Sequence, residues 1–507
     1  MAVTFLIGVS PSIGNDLHAT SPQPSETYIT LENESEGVSE SYVTGYHGDS
    51  EIKIMYPLSG MPAIVTKRGN FTITVKFSES QGKWKCILST AYDIVWEEIS
   101  LRVGDVTYNG TSHLWEILVE VPSDADEDLY NITVVVETDG KIFEAREPRA
   151  VSVVKEFKNT FSFVHLTDFH IGDPRGMKVD INKTVGWKAA KKSIREINLL
   201  NPDFVIITGD LVFGQLYPFE YPIEYKKCYD ILQLFQVPTF VCLGNHDGYI
   251  QFGQDGFKFW QQLFGPLYYS FDYGDYHFTS VNSYDWPARS RVAFSYLAFN
   301  WGGHIREEEM RWIEHDLQNS VNAKLRFVML HHNPLWDTKN DSLLNNEYEG
   351  REELLGLIEK YDVDAVFAGH VHYDNVTVKN GTIYVTTTTV ASSLGDEDAY
   401  WGYRLIKVND EKVNSYNYKE PKYSIPLYRL NYTYSRNDGS VTTVTANVEN
   451  DLEMDVEARL HFYVPAGDYQ VENGEIVKEN SADEIKKVDV DAFISAMNSV
   501  EIVIRPL

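Results

Sequence analysis

The chain has 507 residues, 43% of them hydrophobic and 13% aromatic, with a net charge of −30. That length points to about three domains, and the apolar content excludes a disordered chain. The acidic balance excludes nucleic-acid duplexes and anionic membranes as expected partners, but not a small anionic substrate held by local cations.

Residues 1–40 open with a short apolar run at 2–9 and continue rich in Ser, Pro and Glu. No Lys or Arg precedes the run, so the segment reads as a clipped signal peptide and linker, or else as a first strand. Residues 41–155 read as all-β, with candidate strands at 51–56, 71–77, 93–103, 113–121 and 130–137. Their alternation between turn signals is the pattern of a small immunoglobulin-like β-sandwich. The acidic run at 124–128 lacks the glycine and closing glutamate of an EF-hand and reads as a solvated turn.

Residues 156–408 carry five short apolar runs that each end on polar residues. The run at 161–166 leads to Asp168 and His170, and that at 204–207 to Gly209 and Asp210. The run at 240–243 leads to Gly244, Asn245, His246 and Asp247. The run at 327–330 leads to His331 and His332, and that at 365–368 to Gly369, His370 and His372. Such runs read as buried strands, and in layered α/β folds functional groups gather at the carboxyl ends of strands. Carboxylates, an amide and imidazoles in these numbers suit two divalent cations. Helical stripes at Trp187, Ala190, Ile194 and Ile197, and at Met310, Ile313 and Leu317, alternate with the strands.

The ordered set D-x-H, G-D, G-N-H-[DE], a strand-end His and G-H-x-H resembles the calcineurin-like metallophosphoesterases. The resemblance implies a central double-sheet α/β domain, here 156–408, and the alternating strands on either side of it read as two small β-sandwich domains. It implies that Asp168, His170 and His372 bind one metal, that Asn245, His331 and His370 bind the other, and that Asp210 bridges them. The metals would be two divalent ions, with Mn, Fe, Zn and Ni equally compatible with N/O ligands. The implied reaction is hydrolysis of a phosphomonoester or phosphodiester by a metal-bridging hydroxide, with His246 as general acid and Asp247 orienting its ring. His331 fits the family spacing better than His332, which is left to the outer shell or the substrate. The related purple acid phosphatases carry a Tyr where this chain has Phe213, so an iron–tyrosinate chromophore is not expected.

Substrate contacts are expected from Asn245, His246 and His332, with Arg175, Arg289 and Arg291 as candidates for a phosphate clamp. The irregular stretch 283–300 is a candidate pocket wall. His165, inside the first strand, reads as a buried hydrogen-bonded residue. Cys86, Cys228 and Cys242 have no metal-ligand spacing, and buried free thiols are favoured over a Cys228–Cys242 disulfide. Residues 409–507 turn β-rich again and read as a second sandwich without site residues. Nine Asn-x-Ser/Thr sequons, at Asn33, Asn70, Asn109, Asn131, Asn182, Asn340, Asn375, Asn380 and Asn431, favour an extracytoplasmic or secreted location over a cytoplasmic one. No apolar run is long enough to span a membrane. The competing reading is a cell-surface binding protein with an inactive hydrolase-like core.

Overall fold

The computed structural model describes residues 51–507 except 79–81, 174–183, 216–219, 295–296, 337–346, 392–399, 420–421 and 483. The segment 1–40, Arg175, and the sequons at Asn33, Asn182 and Asn340 lie outside the described residues.

The five motif strands form where expected: Thr160–Leu166, Phe204–Thr208, Thr239–Cys242, Leu325–Met329 and Ala365–Ala368. They are divided between two six-stranded sheets. The first three are parallel neighbours in one sheet, and the last two are parallel neighbours in the other. Alternation explains the layering, because neighbouring side chains point to opposite faces and both faces are buried. Phe161 and Phe163, Phe204 and Ile206, Phe327 and Met329 enter the core between the sheets. Val164, Val205 and Ile207 meet the helices Val185–Leu200 and Tyr221–Leu232 on one outer face. Val328 and Val366 meet Glu307–Asn319 and Arg351–Lys360 on the other. At the centre, Phe163 stacks on Phe204 at 5.1 Å and meets the edges of Phe278 and Phe367 from the opposite sheet at 5.6 and 5.4 Å. Removing such a fully buried ring costs about 3–5 kcal/mol.

The runs at 382–390 and 403–408 both read from the sequence as strands of a second sheet, but only Thr382–Thr386 joins it, and Gly402–Asn409 returns to the first sheet, antiparallel to Thr160–Leu166. Lys412–Ser415 and Ile425–Pro426 pair with the same strand, so that sheet extends past 408. Sequence periodicity sets the faces of a strand and leaves its partner open.

Residues 52–154 form a four-stranded and a five-stranded sheet over a shared core. The expected strand at 93–103 is two strands, Glu98–Ser100 and Arg102–Asn109, which join different sheets. Ala63–Thr66, Lys83–Thr90 and Lys141–Val154 are additional strands. Arg149 docks this region on the central one. Its buried guanidinium donates to the carbonyls of Leu232, Phe235 and Val237 at 2.6–2.7 Å, at the C-terminal end of Tyr221–Leu232 where cations are favoured. The C-terminal strands form a four-stranded and a three-stranded sheet. Lys487 of that region pairs with Asp93 at 2.6 Å, and Asn480 donates to Asp126 at 2.7 Å. The acidic run at 124–128 is therefore an inter-region contact, not a solvated turn. All three cysteines are buried and free. No helix of the described residues is long and apolar enough to cross a membrane.

Candidate metal centre

The carboxyl ends of the five strands meet on one side of the paired sheets. Asp168, His170, Asp210, His370 and His372 each leave their strand in the left-handed backbone region, with φ between 47° and 73°. That conformation costs about 1–2 kcal/mol per non-glycine residue, and Asp and His are among the side chains that tolerate it best. It turns each side chain sharply back over the sheet edges. Glycines supply the clearance. A Cβ on Gly369 would lie 2.0 Å from Thr167 Oγ1 and 2.6 Å from Asp168 Oδ2, and one on Gly244 would lie 2.2 Å from Asp210 Oδ1.

Two groups of candidate cation-holding residues result, with Asp210 between them. In the first, His372 Nε2 faces Asp168 Oδ1 at 3.1 Å, and His170 and His372 rings are 5.0 Å apart. Ligand atoms of Asp168, His170, Asp210 and His372 lie within 4.8 Å of one another. In the second, His370 Nδ1 lies 3.0 Å from Asn245 Oδ1 and 3.3 Å from His331 Nε2. Asp210 Oδ2 reaches both groups, at 3.5 Å from His170 Nε2 and 3.1 Å from His331 Nε2.

The surroundings fix the orientation of each ring and amide. His331 Nδ1 donates to the Thr208 carbonyl at 2.7 Å, which leaves its Nε2 facing Asp210. The Asn245 Nδ2 donates to Tyr249 Oη at 2.6 Å, which turns its Oδ1 toward His370. Such outer partners set which atom is offered to a cation. His170 Nδ1 is buried and has no hydrogen-bond partner among the described residues. This convergence of buried electron-pair donors fits a pair of divalent cations.

Electrostatics agree. Burial opposes ionisation of Asp168, but His372 and His331 outweigh it and hold the carboxyl below its usual range. Burial likewise opposes ionisation of Asp210, and His331 and His246 hold it well below. Burial lowers His331, yet Asp210 raises it to about 9. Burial keeps His370 well below its ordinary value, reinforced by His332 and His331.

His246 sits beside the first group, its ring 4.8 Å from His170 and its Nε2 3.8 Å from Asp210 Oδ2. Its Nδ1 donates to the Phe213 carbonyl at 2.5 Å, so Nε2 faces the Asp210 side of the cluster. Burial pushes its pKa down to about 4, against the pull of Asp210. Asp247 does not orient this ring. One of its oxygens accepts from the backbone N–H of Leu211 and Val212, and the other from Gly244, at 2.9–3.1 Å. It ties two strand ends together instead.

His332 has both ring nitrogens engaged. Nδ1 meets Ser283 Oγ at 2.9 Å and Nε2 donates to the Trp301 carbonyl at 3.1 Å. It lies behind His370, at a ring separation of 4.3 Å. Arg291 is not available as a clamp. It is buried, pairs with Asp255 at 2.8 Å, donates to the carbonyls of Gly248 and Trp286, and lies over the Phe257 ring. Arg289 is exposed on the turn Ala288–Ser290 and touches none of the cluster among the described residues. Sequence reasoning missed Tyr249 and Trp336. Tyr249 lies four residues after Asn245, a spacing that could have suggested it. No sequence pattern marked Trp336.

Residues 161–374 match the model of the calcineurin-like phosphoesterase family. This stretch of the chain carries the pattern of the calcineurin-like phosphoesterases. It is a metallophosphoesterase, a hydrolytic enzyme. A probable glycerophosphodiester phosphodiesterase, GpdQ, from Arcobacter nitrofigilis is 29% identical over 235 residues, 45% of this chain and 77% of that protein. The serine/threonine-protein phosphatase CPPED1 of Danio rerio is 25% identical over 278 residues, 51% of this chain and 84% of its own length. Purple acid phosphatase 23 of Arabidopsis thaliana is 26% identical over 226 residues, 37% of this chain and 46% of that protein.

Proposed function

We propose that this metallophosphoesterase cleaves a small phosphomonoester or phosphodiester at a two-cation centre. Asp168, His170 and His372 hold one cation, Asn245, His331 and His370 hold the other, and Asp210 bridges them. The observation that carries this reading is the Asp210 Oδ2, which lies 3.5 Å and 3.1 Å from imidazole nitrogens of the two groups. Two divalent cations at this place supply Lewis acidity toward phosphoryl oxygens and lower the pKa of water from 15.7 toward ~7.

The chain's own residues do the rest. Buried Asp168 and Asp210 offset part of the cationic charge, so the cleft stays positive within an acidic protein and draws a phosphoryl group. The Phe213 carbonyl aims His246 Nε2 at the cleft, where it meets the leaving oxygen. At about 4, the pKa of His246 makes the ring neutral in the free site at neutral pH. The negative charge of bound phosphoester favours its protonated form, and the proton then passes from Nε2 to the leaving alkoxide. In the same reading, residues 41–155 and 409–507 are small β-sandwiches, the first immunoglobulin-like, and the protein is exported. Exposed sequons at Asn70, Asn375, Asn380 and Asn431 support export. Asn131 does not, because its buried amide donates to the Thr90 carbonyl and accepts from Arg149 N–H.

The test is hydrolysis of nitrophenyl phosphate and bis-nitrophenyl phosphate after chelation and reloading with Mn²⁺, Ni²⁺, Zn²⁺ or Mg²⁺, with metal content measured in parallel. The expected result is about two cations per chain and turnover that follows their loading. Absence of turnover with every metal would overturn the reading, and the ratio of the two substrates separates monoesterase from diesterase.

A further inference from the structure

Seven of the ten tryptophans pack in or against one of three hydrophobic cores. Among the described residues, Trp96, Trp301 and Trp336 belong to none of them, and the last two stand together. Both indoles are half-buried, and they pack on each other at 5.7 Å. Both also pack on the His370 ring, at 5.9 and 4.6 Å, and Trp336 stacks on His332 at 6.0 Å with a tilt of 24°. Their backbones are anchored without the indoles. The Trp301 carbonyl accepts from His332 Nε2 at 3.1 Å. Trp336 N–H donates to the Asn333 carbonyl at 2.9 Å, and its own carbonyl accepts from Arg351 at 3.0 Å. An indole offers some of the largest apolar surface of any side chain, and leaving it part-wet forgoes burial that a core would supply. Two such rings, tilted 37° to one another, stand beside His370 at the candidate cation site.

We propose that Trp301 and Trp336 form a stacking platform for a planar ring on the organic part of the phosphoester. The preferred substrates then carry an aryl or nucleobase ring rather than an alkyl group alone. The proposal rests on the two-cation reading, because His370 is what places the platform beside the phosphoryl group. Stacking a ring on an aromatic side chain is worth about 5- to 150-fold in affinity.

The experiment compares binding of phenylphosphonate and methylphosphonate to the Mn²⁺-loaded full chain by calorimetry. A parallel comparison uses AMP and ribose 5-phosphate. Phenylphosphonate is expected to bind at least 5-fold more tightly than methylphosphonate. In a Trp301→Leu/Trp336→Leu double variant that ratio falls by about 5- to 150-fold, at unchanged metal content, and Trp336→Phe keeps most of it. A matching preference for AMP assigns a nucleobase, and its absence assigns an aryl ring. Equal binding of the two phosphonates by the wild type, or no phosphonate binding, overturns the platform. So does a double variant that loses metal or weakens both phosphonates alike, because the indoles then act only through His370. Phosphonate binding with the expected ratio but no turnover of any phosphoester overturns hydrolysis and leaves the platform standing.

Discussion

Tyr249→Phe removes one oxygen and should weaken one cation site. The Tyr249 ring is 1% exposed and packs at 5.1 Å from His246 and 5.8 Å from Tyr284, contacts that phenylalanine keeps. What is lost is the acceptor, 2.6 Å away, for Asn245 Nδ2. The buried amide then either leaves its N–H unpaired, at about 1–3 kcal/mol, or flips and turns Nδ2 toward His370. A flipped amide offers hydrogens where a cation needs an electron pair. Loss of such an outer partner costs about 10–100-fold in metal affinity, or roughly 1.4–2.8 kcal/mol, which matches the hydrogen-bond penalty. Competition for Mn²⁺ against a chelating dye reads the two sites separately. The site of Asn245, His331 and His370 should weaken 10–100-fold, and the site of Asp168, His170 and His372 should hold within about twofold. Activity should return at saturating Mn²⁺. Equal weakening of both sites, or of neither, would refute the division of ligands argued above.

Three further tests address other parts of the molecule. His246→Ala should slow alkyl phosphoesters about 10²–10⁴-fold while sparing nitrophenol esters, whose leaving group needs no proton; equal losses remove the acid role. Gly369→Ala drives a Cβ against Thr167 and Asp168, so it should cost about 1–3 kcal/mol of stability and weaken Mn²⁺ binding, and unchanged binding and denaturant midpoint would contradict that crowding. His277 is held between Asp272 at 2.7 Å and Asp316 at 3.0 Å. Burial lowers its pKa, but the two carboxylates outweigh this and hold it at about 9. The folded value lies above the unfolded one, so this stabilisation is complete below about pH 6.5 and fades as pH rises through about 9. The gap corresponds to roughly 3 kcal/mol, which solvent around exposed Asp272 trims to about 1–2. The wild type should lose that much more stability than His277→Gln between pH 6 and 9.5, and parallel urea curves for the two proteins would discount the pairing.

Much of the candidate centre was legible in sequence because its residues stand at strand ends, and strand ends are marked by the change from apolar runs to polar residues. Asp168, His170, Asp210, Asn245, His331, His370 and His372 all reach one cluster for that reason. The choice of His331 over His332 followed from the family spacing, and the structure aims His331 Nε2 at Asp210. Residues chosen by type alone fared differently. Arg291 looked like a phosphate clamp but spends its guanidinium on Asp255 and on backbone carbonyls. Asp247 looked like a partner for its neighbour His246 but caps backbone N–H groups 35 or more positions away in sequence. Hydrogen-bond partners of that kind depend on which loops meet, and local sequence carries no record of it.

Short apolar runs determined by themselves that Thr160–Leu166, Phe204–Thr208 and their companions would be strands buried on both faces and ending on polar residues, because a run without alternation leaves no face for water. Only the tertiary structure decided which sheet each strand joins, that Gly402–Asn409 returns to the first sheet, and that Tyr249, Phe213 and Thr208 aim the ligands and His246. Those outcomes depend on contacts between segments tens to hundreds of residues apart, where shape and hydrogen-bond geometry select among pairings that the local pattern leaves equal.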